Sequence, residues 1–162
     1  QANITVHDRP VVDAALTEAE RTNGPAAALE LPDGSIVTGK TSDLLGACSA
    51  LLLNALKELA GIEHEIKIIS PQAIEPIQSL KTKYLGSRNP RLHTDEVLIA
   101  LSATSKDARL AMDQLPKLKG CQVHVSVMPG SVDIKQFKRL SIQATFEAKY
   151  EKNSVFFNNK GV

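Results

Sequence analysis

Between Ser42 and Ala60 the chain carries Leu44, Leu45, Ala47, Cys48, Leu51, Leu52, Leu53, Ala55, Leu56 and Leu59, and Gly61 follows as a stop. Apolar residues on so many sides of one helix leave no broad polar face for water, so the segment predicts a central helix that is covered all round. Such a helix needs partners on more than one side. With 162 residues, 43% of them hydrophobic and 23% charged, the chain is long enough to supply these partners within one globular domain. The expected domain runs from 1 to 151. Residues 152–162 read as a tail, in which Val155, Phe156 and Phe157 are expected to dock on the body or on a neighbour.

The segments around the central helix supply those layers. Asp8 and Pro10 open a first helix with a capping side chain and a proline in the first turn. Its apolar residues Val11, Val12, Ala15, Leu16 and Ala19 recur at helical spacing, and Asn23-Gly24 ends it. Ala26 to Leu31 and Ser35 to Gly39 are short apolar or β-branched runs joined by Pro32-Asp33-Gly34, which predicts a β-hairpin feeding the central helix. Glu65 to Ile69 reads as a strand. Ser70-Pro71 then caps a helix reaching about Leu85, with a kink or restart at Pro76. After a loop from Gly86 to His93, Thr94 caps a helix to about Ala103, and another runs from Ser105 or Asp107 to near Pro116. Gln122 to Val127 and Ser141 to Tyr150 alternate as strands, and the helix from Val132 to Arg139 is long enough for a crossover between parallel strands. The order predicts an α/β fold, a three-layer α-β-α sandwich with a mixed sheet.

Several function classes are excluded at this level. A net charge of +1 and six aromatic residues give neither the field nor the stacking platform that nucleic acid requires. Apolar runs fall far short of the ~20 residues needed to span a bilayer, and no signal-peptide pattern is present at the N-terminus. Neither nucleic acid nor membrane is therefore an expected partner. Cys48 and Cys121 are lone cysteines without metal spacing, which fits a reducing cytosol. A first residue of Gln1 rather than Met points to a piece of a longer protein.

Gly34-Ser35-Ile36-Val37-Thr38-Gly39-Lys40-Thr41 fits the phosphate-loop pattern G-x-x-x-x-G-K-[ST] letter for letter. Chance alone gives such a match in about 1% of chains of this length. A phosphate loop wraps its backbone N–H groups around the anion, whereas Ile36 and Val37 are stiff residues that favour extended strand. No later strand ends in an Asp placed to hold Mg²⁺. The hairpin is the better reading. A narrower one survives it: Gly39, Lys40, Thr41 and Ser42 precede a helix whose first N–H groups and dipole favour an anion. The bland alternative makes Thr41 or Ser42 a simple helix cap. Lys81, Lys83, Arg88, Arg91 and His93 form a basic run with no acid until Asp95. Arg88 and Arg91 there fit a phosphate grip, an intersubunit pairing or a solvated loop. His93-Thr94-Asp95-Glu96 offers His93 and Asp95 as acid–base candidates, beside an ordinary helix-start reading. His64 and His124 read as surface or hydrogen-bonded histidines. No metal and no cofactor is expected.

The hairpin entering a buried helix through Thr38-Gly39 resembles the three-layer fold of the cytidine deaminases. Their zinc ligands sit at the starts of the central helix and the next helix. The matching stretches here, Thr41-Ser42-Asp43-Leu44 and Ser70-Pro71-Gln72-Ala73, contain no Cys or His, so the zinc chemistry does not carry over. A closer resemblance is to the C-terminal part of a family of long, uncharacterised bacterial proteins classed as a domain of unknown function. Three stretches carry it: residues 33–42, residues 80–102 (LKTKYLGSRNPRLHTDEVLIALS) and residues 114–121 (QLPKLKGC). The resemblance implies a C-terminal module of a larger cytosolic protein with a cytidine-deaminase-like topology and no zinc, and it brings no activity.

Two functions follow as expectations. One is a non-catalytic module that binds a small anionic ligand or supports assembly of the longer protein, with the missing N-terminal domains or further copies in a homo-oligomer as partners. The alternative is an enzyme domain acting on a phosphorylated or nucleotide-like metabolite without zinc. That alternative requires the Gly39 to Ser42 turn and the Arg88 to Asp95 loop to meet in one pocket.

Overall fold

The computed structural model of the chain describes residues 9–149. The Asp8 cap and the tail at 152–162, with Val155, Phe156 and Phe157, lie outside the described residues. Helix α1 (Pro10–Thr22) starts with its proline in the first turn and ends at Asn23, which takes the left-handed conformation (φ 57°) that a short polar residue tolerates. Strands β1 (Ala26–Glu30) and β2 (Ile36–Lys40) form the expected antiparallel hairpin. Its turn works because Gly34 accepts φ 89° and Asp33 Oδ1 takes the Ser35 N–H. Residues 36–40 are thus paired strand, Gly39 opposite Ala27 and Lys40 opposite Ala26, and do not form a phosphate cradle.

Strands β3 (Gln122–Val125) and β4 (Gln143–Phe146) complete a four-stranded sheet of order β2-β1-β3-β4. β1 runs antiparallel to both of its neighbours, while β3 and β4 are parallel and joined by helix α6 (Ser131–Arg139), the crossover that the spacing implied. The sheet is therefore mixed. Because strand side chains alternate, its two faces are made by alternate residues. Ala28 packs with Val11 and Ala15 of α1, and Ile36 flanks them. Ala27, Leu29, Val123 and Val125 belong to the main core on the other face, with Leu51, Leu52, Ala55 and Leu56 of α2 (Ala47–Ala60).

The helices α3 (Pro71–Ser79), α4 (Thr94–Thr104), α5 (Ala108–Met112) and α6 add Ile74, Val97 and Leu101, Ala111 and Phe137 to that core. Gly39 shows how closely α2 rests on the sheet: a Cβ there would lie 2.3 Å from Leu51 N and 2.8 Å from Ala47 O. At the outer edge of the sheet, the bonds from Leu31 N to Ser35 O and from Thr41 N to Pro25 O put the paired hydrogen bonds on odd-numbered residues. The Thr38 carbonyl consequently points away from β1, and Asn54 Nδ2 of α2 donates to it at 2.8 Å.

Four elements depart from the sequence expectation. Helix α2 begins at Ala47 and not at Ser42, because Ser42 Oγ accepts the N–H groups of both Leu44 and Leu45 and holds them in a turn. Residues 65–69 pair in no strand: Ile66 is 44% exposed while the adjacent Ile68 and Ile69 are both buried, which no alternating strand face provides. The break expected at Pro76 comes later, where Leu80–Tyr84 winds as a π-turn closed by the bond from Leu85 N to Leu80 O. α5 stops at Met112, and Leu115–Leu118 forms a separate 3₁₀ turn. No helix among the described residues is long and apolar enough to cross a membrane.

Candidate functional site

The starts of α2, α4 and α6 meet around Leu92. Gly46 N and Ser49 Oγ both donate to Leu92 O, at 3.3 and 2.8 Å, and Leu92 N donates to Leu44 O at 3.0 Å. Leu45 and Leu92 thereby form a single parallel bridge that fastens the loop before α4 to the turn before α2. Asn89 Oδ1 accepts the Arg91 N–H and fixes the backbone there, which lets Arg91 Nε reach Ser42 O at 2.6 Å. Gln78 Nε2 of α3 ties in Asp43 O. Two segments distant in sequence thus touch through Ser42 and Arg91.

The start of α4 is already supplied with anions. Glu96 Oε1 accepts the His93 N–H at 2.8 Å and Lys81 Nζ at 2.7 Å, and lies 3.3 Å from His93 Nδ1. Asp133 Oδ1, reaching over from α6, accepts both the Thr94 N–H and the Thr94 hydroxyl. Asp95 Oδ1 accepts the Glu96 N–H. A helix start attracts negative charge, and here side-chain carboxylates provide it. Lys81, its side chain only 6% exposed, also donates to Arg91 O and so ties the π-turn to the loop. Burial pushes the Glu96 carboxyl up, but the hydrogen bonds from His93 and Lys81 and the Lys81 charge outweigh it, and its pKa ends below the ordinary glutamate value. The Cys48 thiol, buried at the start of α2, is pushed well above its ordinary value by burial and then by the Asp133 charge.

Of the residues singled out from sequence, Ser42 and Arg91 touch here, His93 lies against Glu96, and Asp95 holds the Glu96 N–H at the start of α4. Thr41 N extends the hairpin by donating to Pro25 O. Gly39 is buried under α2, where its missing Cβ is needed for packing. Lys40 is exposed and alternates to the α1 face of the sheet, where its charge helps lower the Glu18 carboxyl after the hydrogen bond from Arg21 and against burial. Its side chain therefore does not serve the start of α2. Arg88 is exposed at the loop tip. The sequence reading missed Lys81 as a buried group and Asp133 as a cap. Glu96 was discoverable from its place three residues after His93, the spacing of a capping box.

Two further features lie outside this cluster. On the α1 face His124, fully buried, holds Thr145 Oγ1 and Glu147 Oε2 at 2.7 Å each, and Arg9 reaches Gln122 Oε1 and Thr145 Oγ1. His124 is thus a hydrogen-bonded histidine, one of the two roles read for it from sequence. An open groove of about 320 Å³ runs between the hairpin turn and residues 119–122, and its lining includes none of Gly39, Lys40, Thr41, Ser42, Arg88, Arg91, His93 and Asp95. Among the described residues no group of three or more His, Cys, Asp or Glu is placed to hold a metal ion.

Residues 7–156 match the family model described as "Domain of unknown function DUF1846, C-terminal". Similar proteins include a UPF0371 protein of Corynebacterium glutamicum, 55% identical over 159 residues, covering 96% of this chain and 32% of that protein. A UPF0371 protein of Corynebacterium efficiens is 56% identical over 159 residues, with the same coverage. One from Streptococcus thermophilus is 47% identical over 156 residues, covering 94% of this chain and 32% of its own length. The chain spans about a third of the length of the curated relatives it matches.

Proposed function

We propose, for a chain that belongs to the DUF1846 C-terminal family, that it acts as a non-catalytic assembly module of a longer bacterial protein. The observation that carries this reading is the occupied start of α4, where Glu96 and Asp133 take the donors an incoming anion would use. On this reading the contacts of Lys81, Glu96, Arg91 and Ser42 form a clasp between the loop and the start of α2. The remaining two thirds of the longer protein are the expected partner, and a homo-oligomer belongs to the same proposal. So does a cytosolic location, which the two buried free thiols, Cys48 and Cys121, support.

A cytidine-deaminase-like topology is also part of the proposal. It is supported by the hairpin that feeds α2 and by helices on both faces of the sheet. The absence of paired strand at residues 65–69 counts against it.

A second reading, a ligand-binding or enzyme domain for a phosphorylated or nucleotide-like metabolite, is favoured by the Arg91 to Ser42 contact and by an α2 start that carries no capping side chain. There Arg91 and Ser42 grip phosphate, with His93 or Asp95 as acid or base. A thermal-shift series with inorganic phosphate, nucleotides and sugar phosphates, on the wild-type chain and on Arg91→Ala, decides between the two. A ligand at ~100 times its dissociation constant adds about 2.7 kcal/mol. The assembly reading expects no shift with any of them. A shift that Arg91→Ala abolishes establishes the anion site and overturns the clasp.

A further inference from the structure

Among the described residues six large apolar side chains are conspicuously exposed, and three of them, Leu80 at 49%, Tyr84 at 78% and Leu85 at 70%, fall within six consecutive residues. Their grouping follows from the helix geometry. Ile74, Ile77 and Lys81 turn the inner side of α3 and the π-turn toward the core and the loop. In a turn closed by a bond from residue 85 to residue 80, the side chains at 80, 84 and 85 leave the backbone in neighbouring directions, and all three are exposed. The result is an apolar ridge. It is held rigidly, because Lys81 is fixed at its Nζ by Arg91 O and Glu96 and because Thr82 Oγ1 bonds back to Gln78 O. Lys83 and Arg88, close to these residues in sequence, are exposed as well and carry positive charge.

Holding apolar side chains out in water carries a hydration cost that a covering surface removes. The relatives provide a source for that cover. This chain matches about a third of each, and the matching family model is the C-terminal one. We infer that Leu80, Tyr84 and Leu85 dock on the part of the longer protein that precedes this module, against an apolar surface bordered by carboxylates that face Lys83 and Arg88. This inference rests on the assembly reading and adds where the contact lies. Tyr84 supplies a rigid aromatic anchor at low entropic cost, which suits it to the centre of such a contact.

The test uses the full-length parent protein with a protease site placed just ahead of the module. After cleavage, gel filtration shows whether the two pieces stay together, for the wild type and for Tyr84→Ser combined with Leu85→Ser. The pair of substitutions is on the surface, and a thermal melt of the variant checks its folding. Co-migration of the wild-type pieces with separation of the variant, an affinity loss of about tenfold or more, is the expected result. Wild-type pieces that separate refute the assembly reading itself. Pieces that stay together in both proteins leave that reading intact and overturn the ridge as the contact. If sedimentation of the module instead shows a dimer that the same substitutions dissociate, the occupant is a second copy and the inference is wrong.

Discussion

The two faces of the sheet are built from the same four strands and are stabilised in opposite ways. On the α2 face, Leu29, Val123 and Val125 meet Leu51, Leu52 and Leu56, and at Gly39 the backbones of strand and helix nearly touch. On the α1 face, one residue along each strand, stand Gln122, His124, Thr145 and Glu147, joined by hydrogen bonds to one another and to Arg9. Burial of apolar area and dense packing stabilise the first face. The second has only a small apolar patch around Val11, Ala15 and Ala28 beside a polar chain whose net contribution is modest once hydration is counted. That chain has a clear cost when incomplete: Arg9 Nη2 is buried without a hydrogen-bond partner among the described residues. Alternation therefore lets one sheet carry a close-packed core and a directional polar lock, the lock fixing the parallel register of β3 and β4 through His124.

The sharpest challenge to this contrast is Gly39→Ala. The new Cβ would meet backbone atoms of Leu51, and no side-chain rotation relieves that, so α2 must move off β2. Urea unfolding is expected to show a loss of about 3 kcal/mol or more. A loss under about 1 kcal/mol would mean that the apolar face yields as readily as the polar one.

His124→Leu probes the other face. It is expected to cost about 2 kcal/mol, since Thr145 and Glu147 lose a partner but Glu147, 28% exposed, regains water. Adding Thr145→Val should cost less than the sum of the two single changes, and strict additivity in the cycle would show that the chain is not coupled.

Glu96→Gln tests the clasp at the helix starts and should cost about 1–2 kcal/mol at pH 7. The sign follows from its lowered pKa. The stabilisation is fully present above the ordinary glutamate value of 4.5 and is lost as the pH falls through the lower folded value. The gap between wild type and variant should thus be constant from neutral pH down to about that value and shrink below it, in melts taken across the acid range. A gap that grows in acid contradicts the assignment. Lys40→Ala should give the smallest effect, within about 0.5 kcal/mol, because the side chain is exposed and touches neither core nor clasp.

The sequence was most informative where local chemistry decides the outcome. The hairpin was legible because Pro32-Asp33-Gly34 is a turn on its own terms, and α2 because its apolar residues surround it. The start of α2 was misplaced by five residues, since the same hydroxyl that caps helices, here Ser42, also stabilises the turn that precedes this one. The expected strand at 65–69 failed for a tertiary reason: Lys57 Nζ holds the His64 carbonyl, and Ile68 and Ile69 are buried side by side. Within the candidate site, Ser42, Arg91 and His93 were legible as chemistry-bearing residues. The contacts of Lys81 and Asp133 were not, because Lys81 reaches Glu96 across 15 positions and Asp133 reaches Thr94 across 39. No local pattern encodes contacts at that range.

The hydrogen bond from Asn54 to the Thr38 carbonyl has a meaning for how chains of this kind coexist in a crowded solution. β2 is an outer strand of an open sheet, and an outer strand offers unpaired backbone groups as a template for any other extended chain. With one of those carbonyls already taken by a side chain from the helix behind it, a strand arriving at that edge must first displace Asn54, forfeiting a bond worth about 1 kcal/mol before it forms its own. The amide thus acts as a guard against edge-to-edge aggregation.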